Sequence, residues 1–445
     1  MLLIWGHRFL PISDYPDRVF EGSIVAELIH GNASASYSFK HYPVPYSGTV
    51  AMLGLLDLAF PPEISGKIVL SLCILLLAIS STYLLTSLSN ESDNSLLLIP
   101  LLFLLNTFFF WGELAYLFAL SVFFSYCGYL FRRIYRSEPI NWWIVASVSI
   151  VMFFFHVLPY ATAILVTLTL ILAESRTELL RPFLISFAPS IGLTLWYAVN
   201  RVSLQRIGPA WTFWTPHLLA GRWIAAFSPF PEFLPWLGIQ VPSMKVFAVL
   251  NLVITTALTL VVPLCVLSWT RMRPRYFGVL ASAVACAIAV IATGYEFEGM
   301  ISPGERFLYP AVWIGLCWLI GAGLPGRVSK FSRFLTIGII ASLACQIAFM
   351  QIYVGSVSND LAALFSKLRS ADSQTELCAT YEKYLSQSWD QPHRSGLDLL
   401  LTNHPSAPRL PYYLYVEKKV EAPIFQMGIL DYSGQGDNED LCKSQ

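Results

Sequence analysis

Charge is scarce in this chain. Only 13% of its residues are charged and 56% are hydrophobic, with a mean hydropathy of +0.59, whereas soluble domains carry roughly a quarter charged residues. The scarcity excludes an ordinary soluble domain and reads as an integral membrane protein. An excess of one sign is missing too: 28 basic residues balance 28 acidic ones. A phosphate backbone demands a basic footprint, so nucleic acid is excluded as a partner. Metal-type cysteine spacing is also absent. The eight cysteines form no CxxC and no Cys/His cluster, and Cys73, Cys127, Cys265, Cys286, Cys317 and Cys345 lie in apolar runs, where a thiol behaves as a small hydrophobe. Cys378 and Cys442 alone fall in polar sequence, where they could pair outside a cell. No internal repeat is evident, which leaves an inverted-repeat transporter without support.

Long apolar runs are present in abundance. Runs at 67–88, 95–110, 115–131, 141–157, 158–174, 183–199, 246–269, 276–293, 307–324 and 333–352 read as membrane spans, each near the roughly 20 residues that cross a bilayer. The opening MLLIWGHRFLP is too short for that and is either an abbreviated, tilted insertion or a truncated first helix. Counting it, the expectation is about eleven spans. Arginine-bearing turns at Arg132, Arg133 and Arg136, at Arg176 and Arg181, at Arg271, Arg273 and Arg275, and at Arg327, Lys330 and Arg333 then share one side, the cytoplasmic one. Polar residues of less ordinary kind collect on the other side.

Three regions follow. Residues 1–66 hold the short first helix and an outer loop with surface helices; RVFEGSIVAELIH at 18–30 reads as amphipathic, and Ser47 to Phe60 as a short juxtamembrane helix carrying Asp57. Residues 67–352 form the core, interrupted by the aromatic, proline-rich stretch 201–245, which suits the headgroup level as a plain aromatic belt or as the border of a lipid-entry groove. Residues 353–445 are polar and read as a small outer α/β appendage.

The order of these parts resembles the GT-C class of membrane glycosyltransferases, which includes protein O-mannosyltransferases, aminoarabinose transferases and oligosaccharyltransferase catalytic subunits. DYPDR at 14–18 is similar to the DYPNH-type opening of bacterial members, WGELAYLFAL at 111–120 to their second outer turn, and GERFLYP at 304–310 to the arginine-bearing entry of a late span. The first helix is shorter than in the class, and Asp17 stands where the similar opening has an amide. The resemblance implies an all-α, GT-C-like arrangement in a bacterial inner membrane, and the arginine-bearing turns put the C-terminal region on the opposite, periplasmic side. It implies a sugar donor on a polyprenyl phosphate or pyrophosphate, with transfer at the outer face. It also implies an acidic residue after the first helix and often another in the next outer turn, the places of Asp14 and Glu113.

The residues themselves allow that chemistry. A hydroxyl attacking an anomeric carbon must lose its proton, and a carboxylate in hydrogen-bond reach suffices as base. Asp14 is the candidate, against the plainer reading that it caps a helix beginning near Pro16. Asp17 reads as a partner of Arg18, a cap or a second acid. Arg306 could stabilise a leaving phosphate through its guanidinium fork, or pair with Glu305 at the interface. Glu113, after an aromatic run, is costly without a partner and with Asp14 or Asp17 could hold a divalent cation. His156, Glu296 and Glu298 could face the same cavity; a core histidine and a solvated loop are their bland readings, and His217 reads as interfacial. Two other functions stay open: a transporter or flippase of a lipid-linked solute, and a non-catalytic subunit with this fold.

Overall fold

The computed structural model describes residues 1–8, 10, 12, 14–88, 98–201, 215, 276–293, 296–297, 300–301, 303–322, positions scattered between 336 and 370, and 429–432. These are mostly helical. A short α1 (Leu2–Trp5) precedes α2 (Tyr15–His30), strand β1 (Tyr37–Phe39), α3 (Ser47–Asp57) and α4 (Pro62–Thr86). Then come α5 (Ile99–Leu102), α6 (Thr107–Trp111), α7 (Leu114–Tyr135), α8 (Trp142–Phe155), α9 (Val157–Ala173) and α10 (Leu180–Arg201). Further along stand α11 (Phe277–Thr293), a hairpin of β2 (Glu296–Phe297) and β3 (Met300–Ile301), α12 (Pro303–Gly321), and β4 (Leu430–Tyr432). Among the described residues, three helical stretches are long and apolar enough to cross a membrane: α4, α7, and Thr177–Asn200, which is α10 with the turn before it. α3, α8, α9 and α11 are shorter apolar helices.

The apolar run at 95–110 is not one span. Its described part forms two helical pieces of four and five residues. Asn106 is the reason: its side chain accepts from the Phe109 N–H at 3.0 Å and donates to the Phe103 carbonyl at 2.9 Å, capping a new helix where the old one stops. The predicted span 246–269, the aromatic stretch 201–245 apart from Arg201 and Thr215, and nearly all of the C-terminal appendage lie outside the described residues.

α7 is the hub, packed against α4, α8 and α9. α11 lies against α9 and α12, and α12 against α4. α12 is buried from Gly304 to Ile320, the charged Glu305 and Arg306 of its first turn included, and beyond that turn it is apolar on every side, as a buried helix is. α2 differs from the amphipathic surface helix expected of residues 18–30: Val19 to Ala26 are all buried, Glu21 included. It achieves this by crossing α3 at two glycines. A Cβ on Gly22 would stand 2.6 Å from the Leu53 Cβ, and one on Gly54 would stand 2.4 Å from the Val25 Cγ1.

The bundle has two chemically distinct ends. At one, Glu174 accepts from the Tyr135 hydroxyl and from the Gly278 N–H at 2.6 Å, tying the last turn of α7 and the end of α9 to the start of α11. Arg132, Arg133, Arg136 and Arg176 neighbour that end in the chain. The starts of α7, α9 and α12 meet at the other, where the acidic residues gather.

Candidate functional site

α6 ends in a glycine turn that fixes the site. Gly112 takes φ +80, its N–H bonds the Phe109 carbonyl at 3.1 Å, and the Glu113 N–H bonds the Phe108 carbonyl at 2.9 Å. This double closure is the Schellman arrangement, which favours glycine at the left-handed position. It frees the Trp111 carbonyl, which accepts from the Asp14 N–H at 3.0 Å. The fit is close: a Cβ on Gly112 would lie 2.6 Å from the Asp14 nitrogen and 2.9 Å from its Cα. Two turns distant in sequence are thereby locked backbone to backbone. Gly112→Ala should lower the thermal midpoint of the purified protein and displace the Asp14 turn, because alanine at φ +80 costs about 1 kcal/mol before any clash is relieved. An unchanged midpoint would mean that the turn yields freely.

Asp14 occupies the first position before α2, yet its side chain makes no capping bond there. Glu113 precedes α7 in the same manner, also without capping it. Its carboxylate instead receives a hydrogen bond from Nη2 of Arg306, on the first turn of α12, in an ion pair with side chains 24% and 9% exposed. Nη1 of the same guanidinium lies 2.8 Å from Nε2 of His156. The Arg306 carbonyl accepts from the Tyr116 hydroxyl at 2.7 Å, and its guanidinium carbon sits 5.8 Å from the Tyr116 ring centre. Arg306 therefore joins α7, the α8–α9 break and α12.

His156 makes that break. Its backbone is extended, at φ −164, and its Nδ1 accepts from the Leu158 N–H at 3.1 Å, capping α9. Both ring nitrogens thus face N–H donors. A neutral imidazole has one acceptor nitrogen, so the ring serves one donor at a time, and a doubly protonated ring would serve neither. Tyr46 and Tyr116 pack edge-on against it, with ring centres 4.5 Å and 5.4 Å away. Tyr46 itself holds φ +73, a strained setting for a bulky residue.

α2 supplies the remaining charges. Arg18 Nη1 bonds Glu21 Oε2 at 2.9 Å, and this carboxylate side chain is 1% exposed. Burial opposes the Arg18 charge, and Glu21, Glu113 and Asp17 more than compensate, holding its pKa above the usual arginine value. Asp17 shows the opposite balance. Burial, reinforced by Glu21, pushes its carboxyl up from 3.8 to about 8, with Arg18 pulling it back in part. The native state therefore keeps a proton that the unfolded chain releases above pH 3.8. The resulting stabilisation is complete below 3.8 and is lost as pH rises to about 8. Asp57, raised by burial to about 6, adds a smaller loss of the same sign. Thermal midpoints taken from roughly pH 5 to pH 9 should fall with pH, and Asp17→Asn should flatten most of that slope. A slope that survives the substitution would assign it elsewhere.

Five of the residues singled out from the sequence, Asp14, Asp17, Glu113, His156 and Arg306, belong to this one end of the bundle. Glu296 lies in β2, where its backbone pairs with Ile301 just before α12. Glu298 and His217 lie outside the described residues. Sequence reasoning missed Glu21, placed off the apolar face of a surface helix, and the structural parts of Tyr46 and Tyr116. It also passed over Glu305 except as a partner for Arg306; Glu305 is fully buried. Arg18 and Glu21, three apart in a helix, carried the one local signal available. Glu113 is engaged by Arg306, and among the described residues no three His, Cys, Asp or Glu side chains group as a metal site would require. Comparison with family models, curated proteins and solved structures returned no match to this chain.

Proposed function

We propose that this chain is an integral membrane glycosyltransferase, of the bacterial inner membrane, that moves a sugar from a polyprenyl-phosphate-linked donor to an acceptor at the outer face. One observation carries the reading. The Asp14 turn and the Glu113 turn are bonded through Asp14 N–H and Trp111 C=O, and an acid after the first helix beside an acid in the next outer turn is the pairing that the GT-C resemblance implies.

Asp14 is the base. Its half-buried carboxylate takes the proton of the acceptor hydroxyl as the oxygen bonds to the anomeric carbon and the bond to the lipid phosphate breaks. The departing phosphate carries the charge away and calls for a positive field rather than a proton. Arg306 and Arg18 supply that field from fixed positions, and Glu113 and Glu21 hold them there. The opposed ends of the bundle support the orientation: arginines neighbour the Glu174 end, as a cytoplasmic face requires, and the acids meet at the other. Pairing of residues 430–432 with β1 supports a tail on the same side as the Asp14 loop.

The test is acceptor-dependent release of lipid phosphate from labelled polyprenyl-phosphate and polyprenyl-pyrophosphate sugars by purified protein in native-like bilayers. Release from at least one donor is expected, with chelator making no difference. A folded preparation inert toward every donor would overturn the reading in favour of transport or an accessory role, and loss of release with chelator would overturn the metal-free step.

A further inference from the structure

β1 and β4 come from opposite ends of the chain and form an antiparallel ribbon, with Tyr37 opposite Tyr432, Ser38 opposite Asp431 and Phe39 opposite Leu430. The Lys40 N–H extends it, donating to the Ile429 carbonyl at 2.9 Å. Two strands of three residues are not stable by themselves in water, so this ribbon owes its order to what it packs on. Leu430 is 1% exposed and Tyr37 3% exposed, and both belong to the bundle core. The Tyr37 ring in turn meets Phe20 of α2 edge-on, 6.4 Å between centres. Phe20 adjoins Glu21, the carboxylate that holds Arg18. A second link is electrostatic: Lys40 is drawn both by Asp431 of the tail strand and by Glu21 of α2.

We propose that β4 is an internal strap, an extended segment added to the edge of β1 that holds α2 and its Asp17–Arg18–Glu21 stretch in place, and whose release loosens that helix. The mode is strand addition: main-chain bonds provide attachment, and the buried Leu430, with the partly buried Ile429 beside it, provides the anchor. Loss of Leu430 from the core uncovers Tyr37 and slackens its contact with Phe20. Departure of Asp431 removes one carboxylate that draws Lys40, while Glu21 goes on drawing Lys40 alongside Arg18. Docking of the tail thus regulates the site described above. That consequence rests on the glycosyl-transfer reading, and the mechanical coupling does not.

Hydrogen–deuterium exchange of the full-length protein tests the coupling without any sugar donor, so its failure and failure of the enzymatic reading are distinguishable. Leu430→Asp should speed exchange of the amides of residues 19–26 on the order of tenfold, with α7 unchanged. Ser38 and Asp431 are exposed and face each other across the ribbon, so Ser38→Cys with Asp431→Cys, in a chain with Cys378 and Cys442 replaced by serine, permits a reversible lock. Oxidation should return α2 to wild-type exchange or slower, and reduction should release it. Should Leu430→Asp not fold, the lock is placed in a Leu430→Ala chain, where the anchor is weakened: equal α2 exchange in its oxidised and reduced forms overturns the proposal, as does a Leu430→Asp variant with wild-type α2 exchange.

Discussion

Replacing Arg306 by methionine should destabilise the protein by about 3 kcal/mol, at the lower end of the roughly 3–5 kcal/mol typical of breaking a buried ion pair. The lower end follows from geometry: at 24% exposure the abandoned Glu113 carboxylate keeps some access to water. His156 Nε2 and the Tyr116 ring lose their partner in the same step. Arg306→Lys should recover less than half of the loss, because a point ammonium cannot reach Glu113 and His156 together as the guanidinium fork does. The double variant Arg306→Met with Glu113→Leu should be milder than Arg306→Met alone, since the stranded charge is then gone. Unfolding midpoints of these three variants and of Glu113→Leu alone, in detergent, check this. Strictly additive losses would mean that the pair is decorative.

Asp14→Asn should act the other way round, leaving the fold and removing the chemistry. Asparagine keeps the size and shape of the aspartate side chain, and the backbone contact to Trp111 survives the change, so the stability should stay close to that of wild type. Loss of a positioned base should slow transfer roughly 10²- to 10⁴-fold. Asp17→Asn, by contrast, should keep most activity at neutral pH, because the native carboxyl already carries its proton there.

Much of the bundle was legible because hydropathy is local. The runs at 115–131, 141–157, 158–174 and 276–293 correspond closely to α7, α8, α9 and α11. The run at 95–110 misled because apolar composition says nothing of a helix that stops and restarts; Asn106 was the sign, a polar residue with capping chemistry inside an apolar run. α2 misled for a tertiary reason. Its Glu21 would mark a solvent face on a surface helix, but Arg18 neutralises it and the Gly22–Gly54 crossing brings α3 over it.

The site was legible as separate points. Asp14, Glu113, His156 and Arg306 each stood out as polar residues at the edges of apolar runs, where an ionisable group needs a reason. Their joining could not be read, because Arg306 and Glu113 are 193 residues apart and Arg306 and His156 are 150 apart. Glycine 112 looked ordinary in WGEL. Only the approach of Asp14 shows that no side chain fits there.

The most direct test of the central claim, that the Asp14 turn locked against Gly112 forms a transfer site, is single-turnover release of lipid phosphate by wild type and by Asp14→Asn. Both would be measured on a labelled donor that the wild type turns over, with thermal midpoints in parallel. Release that falls at least roughly a hundredfold at an unchanged midpoint is the predicted result. Release at the wild-type rate from a folded Asp14→Asn protein would contradict it.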